Sequence, residues 1–138
     1  MLFHTRNKGE LGSLYQAGEI IFRQGDVADC CYVILQGRVE LSAEEPDTCW
    51  LSMEILEKEE VFGTTSLFGN TPRLLTARAL EETRLLTIDQ NGFLRWVEED
   101  PSLALRILLS MARRSKRLIQ KIIQLQKSQP ESMPGESA

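Results

Sequence analysis

The sequence predicts a mainly β domain with α-helix at its C-terminal end, and three observations carry that expectation. Before Asp89 the chain falls into short apolar segments separated by turn residues. Those turns recur at roughly 8–12 residues, the rhythm of an antiparallel sandwich or barrel. After Asp89 the period changes, and apolar residues return every three or four positions.

The expected strands, in order, are 19–22, 31–35, 38–41, 50–56, 76–80 and 83–88. Within 38–41, Val39 and Leu41 alternate with Arg38 and Glu40, the period-two pattern of a half-buried strand. Gly18, Gly25-Asp26, Gln36-Gly37, Glu45-Pro46-Asp47 and the stretch 69–72 supply the breaks between strands. Asp89 is placed to cap a short helix that carries Phe93, Leu94, Trp96 and Val97. Asp100-Pro101 is a stronger start, with an aspartate at the cap and a proline in the first turn. From Pro101 to about 127 no further proline and no glycine occurs, which predicts a long helix of about 40 Å. Residues 128–138 are polar and hold two prolines and a glycine, so they are expected to be disordered. The organisation expected is an N-terminal arm over 1–12 and one domain over 13–127, with its β part in about 13–88 and its helices in about 89–127.

Composition narrows function. With 138 residues, 42% hydrophobic and 26% charged, the chain can bury a core without disulfide or metal support. Its longest apolar run, 30–35, is too short to span a membrane. The first residues lack the apolar stretch of a secretory leader, and a cytoplasmic setting is expected. One histidine, His4, excludes a multi-histidine metal site and allows a histidine base only if His4 itself is pinned. Catalysis is therefore not expected, nor is a resident metal or cofactor. Cys30, Cys31 and Cys49 form no C-x-x-C pair. The expectation is reduced thiols, with at least one of Cys30 and Cys31 in the core, since neighbours in a strand face opposite ways. The net charge of −4 disfavours nucleic acid. Charge is uneven all the same: residues 40–60 hold eight acids against Lys58, while Arg113, Arg114, Lys116, Arg117, Lys121 and Lys127 gather on the last helix. That gathering reads either as a solvated face or as a surface for an anionic partner.

The long helix exceeds what a sheet domain of this size covers. Leu103, Leu105, Ile107, Leu108 and Met111 are expected to pack on the sheets. Leu118, Ile119, Ile122, Ile123 and Leu125 form a second apolar stripe at helical spacing. A protruding stripe needs a partner, and the expected one is the same helix of a second subunit about a two-fold axis.

One stretch has the residue types of a ligand site. Residues 62–78 open on Phe62-Gly63, continue through Thr64, Thr65 and Ser66, turn at Gly69-Asn70 and reach Pro72-Arg73. Gly63 allows close backbone approach. The hydroxyl run can begin a short helix, whose free amides attract anions. Arg73 offers a fork suited to phosphate oxygens. From the residues alone two readings stand: a phosphate site, or a hydroxyl-capped turn beside a surface arginine.

Over about 13–122 the sequence resembles the cyclic-nucleotide-binding domain family. Residues 17–37, AGEIIFRQGDVADCCYVILQG, are similar to the family's G-E-x-I-x-x-x-G-D segment with its following strand. Phe62-Gly63, Pro72-Arg73 and Thr76-Ala77-Arg78-Ala79 are similar to its phosphate-binding cassette. Met111-Ala112-Arg113-Arg114 resembles the catabolite-activator and fumarate-nitrate-regulator branch. The resemblance implies an antiparallel double-stranded β-helix, a jelly-roll β-roll, followed by a short helix and a long central helix. It implies a cassette of Gly63, Thr64, Thr65, Ser66, Arg73, Leu74, Leu75 and Thr76, with cAMP or cGMP as the candidate ligand.

The same resemblance exposes departures. Where the family carries a glutamate for the ribose hydroxyl, this chain has Thr64. The small residues after the phosphate arginine are here Leu74 and Leu75, and the base-contacting hydroxyls of the long helix become Leu118 and Ile119. No helix-turn-helix segment follows the long helix, so sequence-specific DNA binding is not expected. The implied function is a stand-alone regulatory or sensor domain acting on an unknown output protein. The alternatives are a ligand-free dimeric interaction module of the same fold, and a site for a different anion.

Overall fold

The computed structural model describes residues 12–44 and 50–127. Eight strands and three helices follow in the order β1 (Ser13–Tyr15), β2 (Ile20–Phe22), β3 (Cys30–Gln36), β4 (Val39–Glu44), β5 (Trp50–Leu56), β6 (Val61–Phe62), α1 (Thr64–Gly69), β7 (Thr76–Ala79), β8 (Thr83–Asp89), α2 (Gln90–Glu99) and α3 (Pro101–Lys127). All six expected strands form, each within three residues of its expected limits. β1 and β6 are additional: three and two residues are too short to show alternation. His4, Cys49, most of the 1–12 arm and the 128–138 tail lie outside the described residues.

The strands make two antiparallel four-stranded sheets, β1-β8-β3-β6 and β2-β7-β4-β5, and no closed barrel. Sequence order and spatial order differ, as a rolled double sheet requires. The first sheet is built on β3 and β8, paired from Cys30 with Asp89 to Gln36 with Arg84. The second is built on β4, which pairs with both β5 and β7.

The core lies between the two sheets. Cys30, Tyr32, Ile34, Phe62 and Leu85 meet Phe22, Val39, Leu41, Leu56 and Ala77 there. Phe22, Tyr32 and Phe62 pack as a ring trio with centroids 5.1–6.0 Å apart. β3 is buried on both faces, which explains its unbroken apolar run. Its inward face places Cys30 in the core, and its other face buries Cys31 completely. Gly37 makes the β3–β4 turn with φ +102°, and a Cβ there would sit 2.4 Å from the Thr83 hydroxyl.

Helix starts follow local chemistry. The Asp89 carboxylate accepts the Gly92 N–H at 2.7 Å and caps α2, as its position predicts. Asp100 ends α2 and Pro101 opens α3. The described residues divide into two compact units, the first ending at Pro101 and the second beginning at Ser102. No helix of the described residues is long and apolar enough to cross a membrane.

Candidate functional site

Arg73 is the centre of the site, and the backbone puts it there. Its N–H donates to the Asp26 carbonyl, and its carbonyl accepts from the Gly25 N–H, both at 2.8 Å. The Gly25-Asp26 turn, itself tied by the Arg23 N–H donating to the Asp26 carboxylate, thus grips the arginine from both sides. The side chain then runs inward and is only 3% exposed. The reading of a surface arginine beside a hydroxyl-capped turn is overturned on both counts. The arginine is buried, and α1 is preceded by Gly63 in a left-handed conformation with no side-chain cap.

The guanidinium meets carbonyls and rings. Nη1 donates to the Gly63 carbonyl at 2.9 Å, and Nη2 to the Cys30 carbonyl at 2.6 Å. Cys30 Sγ lies 3.8 Å from Nη2. The Phe22 ring sits under the group at 4.1 Å, and the Tyr32 ring lies at 5.8 Å. Nε finds no acceptor. Among the described residues no carboxylate pairs with Arg73, although Arg23, Arg38 and Arg78 each have one. Two charge-assisted hydrogen bonds contribute about 1.5–3 kcal/mol each and a desolvated ring contact about 2 kcal/mol. Burying an unpaired cation costs several kcal/mol. The carbonyls and rings orient the charge without neutralising it.

Gly63 is the hinge of this arrangement. Its φ is +88°, and a Cβ there would lie 2.9 Å from Arg73 Nη1. Its carbonyl also accepts the Leu67 N–H of α1 at 3.4 Å, so the guanidinium and the first turn of α1 share one oxygen.

The remaining cassette positions divide. Thr64 and Ser66 are buried and Thr65 is exposed. Leu75 packs against the core, whereas Leu74 is 57% exposed. The Thr76 hydroxyl is committed elsewhere, donating to Glu44 at 2.8 Å and accepting the Gln24 N–H at 2.9 Å. The fold therefore joins Gly63 to Arg73 and turns the Thr76 hydroxyl to another cluster. Phe22, Cys30 and Tyr32 join the site although sequence reasoning placed them only in strands. Phe22 ends β2 before the Gly25-Asp26 turn, and Cys30 and Tyr32 lie on β3 after it, so no local pattern marks the three together.

The thiols are quiet. Burial pushes Cys31 up to about 12, with the Cys30 charge adding to it. Burial also raises Cys30, against the opposing pull of a Tyr32 hydrogen bond and the Arg73 cation. Both are free cysteines. Among the described residues no three His, Cys, Asp or Glu side chains gather as a metal site.

On α3, Ile119, Ile122, Ile123 and Leu125 are 49–61% exposed, and Leu118 is half-buried. Leu105 and Leu108, expected to cover the sheets, are exposed too and extend the apolar arc. α2 carries its own ring contacts: Phe93 meets Phe68 of α1 at 5.3 Å and Trp96 at 6.3 Å.

Comparison with known proteins gives one consistent result. The family model described as cyclic nucleotide-binding domain matches residues 13–100. A CRP-like cAMP-activated global transcriptional regulator of Mycobacterium tuberculosis is 27% identical over 103 residues, covering 75% of this chain and 46% of its own length. A cyclic AMP receptor protein of Thermus thermophilus is 31% identical over 101 residues, covering 73% and 47%. The crystal structure of Thermus thermophilus catabolite activator protein superposes with a TM-score of 0.68 at 28% identity, covering 82% of this chain and 53% of that one. The chain spans about half the length of the curated relatives it matches.

Proposed function

The chain belongs to the cyclic nucleotide-binding domain family, and on that premise we propose that it is a regulatory sensor unit whose Arg73 receives the phosphate of a cyclic nucleotide. The observation that carries this reading is the buried guanidinium with no described carboxylate partner. An anion entering there supplies the missing counter-charge and an acceptor for Nε. The backbone from Gly63 to Ser66 lines the same cassette. Thr64 cannot give a charged acceptor to a ribose hydroxyl, which costs about 1.5–3 kcal/mol relative to a glutamate. cAMP and cGMP are therefore weaker ligands here than in a cassette that keeps that glutamate, and a different small anion fits the same cation.

Calorimetric titration with cAMP, cGMP and inorganic phosphate tests this. Heat with at least one of the three, absent in Arg73→Met, supports the reading. No heat with any of them at high protein concentration rejects it.

A second reading rests on the committed groups. The guanidinium already holds two carbonyls, and the Thr76 hydroxyl already holds Glu44. Such a domain works as a ligand-free module, paired through Leu118, Ile119, Ile122, Ile123 and Leu125 with a second copy. Light scattering distinguishes it: the wild type is a dimer and Ile119→Glu/Ile123→Glu a monomer. A wild type monomeric at tens of micromolar removes the pairing.

A further inference from the structure

Charge is segregated along this chain. Residues 1–100 hold 18 Asp and Glu against 9 Lys and Arg, whereas α3 holds seven Lys and Arg and no Asp or Glu. No carboxylate within the helix can neutralise a cation at the usual three- or four-residue spacing.

The cations are not scattered. Arg106, Arg113, Gln120 and Lys127 follow one another at intervals of seven. Seven residues fall about 20° short of two full turns, so the four form one line along the helix. Successive members stand about 10 Å apart. Leu109, Lys116 and Ile123 fall three residues after the first three members, completing the alternating three-and-four spacing of a helix-pairing seam. Arg106, Arg113, Lys116, Gln120 and Lys127 are exposed, and Leu109 and Ile123 are each 49% exposed. No described carboxylate pairs with Arg106, Arg113, Lys116 or Lys127. The row is turned well away from Leu118, Ile122 and Leu125 by the helical period, and Leu105 and Ile123, which share one line along the helix, stand where the two faces meet.

We propose that this row is a docking face for an acidic amphipathic helix of a partner protein. Carboxylates at seven-residue spacing would oppose Arg106, Arg113 and Lys127, and apolar residues would cover Leu109 and Ile123. A second copy of α3 is excluded as occupant of the row, because it would set cation against cation. An anionic bilayer fits less well. α3 has no Trp, Tyr or Phe to anchor it in an interface, and fluid headgroups do not read a fixed spacing. Duplex nucleic acid fits less well too, because the exposed Leu109 and Ile123 within the row find no apolar counterpart on a phosphate backbone. The face is independent of which ligand Arg73 takes.

The test uses the full chain and a fluorescent synthetic helix with glutamate and leucine in the complementary seven-residue pattern. A permuted peptide of equal charge and helicity, phosphatidylserine vesicles and duplex DNA are the comparison probes. The patterned helix should bind at least about tenfold more tightly than the permuted one, and should weaken steeply with salt. Arg106→Glu/Arg113→Glu should lose about tenfold or more with unchanged circular dichroism and melting, while Lys58→Glu/Arg95→Glu stays within about twofold. Equal binding of the two peptides, tighter binding to vesicles or DNA, or indifference to the Arg106/Arg113 reversal overturns the proposal.

Discussion

Arg73 and Arg78 stand five residues apart and live under opposite rules. Arg78 on β7 reaches Glu40 on β4 at 2.7 Å, and both side chains keep contact with water. That hydrogen bond, against a smaller opposing effect of burial, holds the Glu40 carboxyl below its ordinary range. A part-buried pair that keeps contact with water contributes about 1 kcal/mol, and it accounts for both partners. Arg73 is buried, lacks any described carboxylate, and leaves one nitrogen without an acceptor. Folding gains little from such a cation that an apolar chain would not supply better. A paired arginine is explained by the fold. An unpaired buried one has no such account within the fold, and the anion proposed above would supply it.

The contrast is broken most severely at Gly63. Gly63→Val forces a branched side chain into a left-handed conformation and against Arg73 Nη1, so a loss of about 3 kcal/mol or more is expected in urea unfolding. A loss under about 1 kcal/mol would show that the guanidinium is not held as described. Next in size is Thr64→Glu, which restores a charged acceptor beside the cassette. Calorimetry should show cAMP binding about tenfold to a hundredfold more tightly, or about 1.5–3 kcal/mol. Unchanged or weaker binding removes Thr64 from the ribose position. Phe22→Leu takes the ring from beneath Arg73, and a stability loss of about 1–2 kcal/mol is expected from packing and cation–π contact together. A larger loss from Glu40→Gln than from Phe22→Leu would invert the comparison.

Glu40→Gln itself should cost roughly 0.5 kcal/mol at neutral pH. The sign of its pH dependence is fixed by the downward shift. The native carboxyl is lowered, so its contribution is present above the unfolded value and lost as pH falls through the folded one. Stability curves of wild type and variant should therefore converge on the acid side, below about pH 4. Curves that stay parallel through that range would mean that Arg78 does not hold the carboxylate.

Much of the fold was legible because period and punctuation agree. The alternation of Val39 and Leu41, the Gln36-Gly37 turn and the Asp89 cap each express a local rule that the tertiary structure keeps. β1 and β6 were not legible, since their pairing is decided by neighbours distant in sequence. At the site, Gly63 and Arg73 were readable as residue types. Their meeting was not readable, because it depends on the Gly25-Asp26 turn hydrogen-bonding to the arginine backbone. Phe22 and Cys30 carried no sign of a site: one contributes a ring and the other a backbone carbonyl, which any residue has. The Thr76 hydroxyl was readable as a candidate contact. Its partners Glu44 and Gln24 come from other strands and loops, beyond the reach of local pattern.

The oxygen of Gly63 has a consequence in time as well as in energy. It accepts from Arg73 and from the first turn of α1 together. A ligand that takes Nη1 as well as Nε must wait for that grip to loosen, and the first bond of the helix loses a competitor when it does. Association should then reach a ceiling at high ligand concentration, set by how often the arginine lets go rather than by how often the ligand arrives.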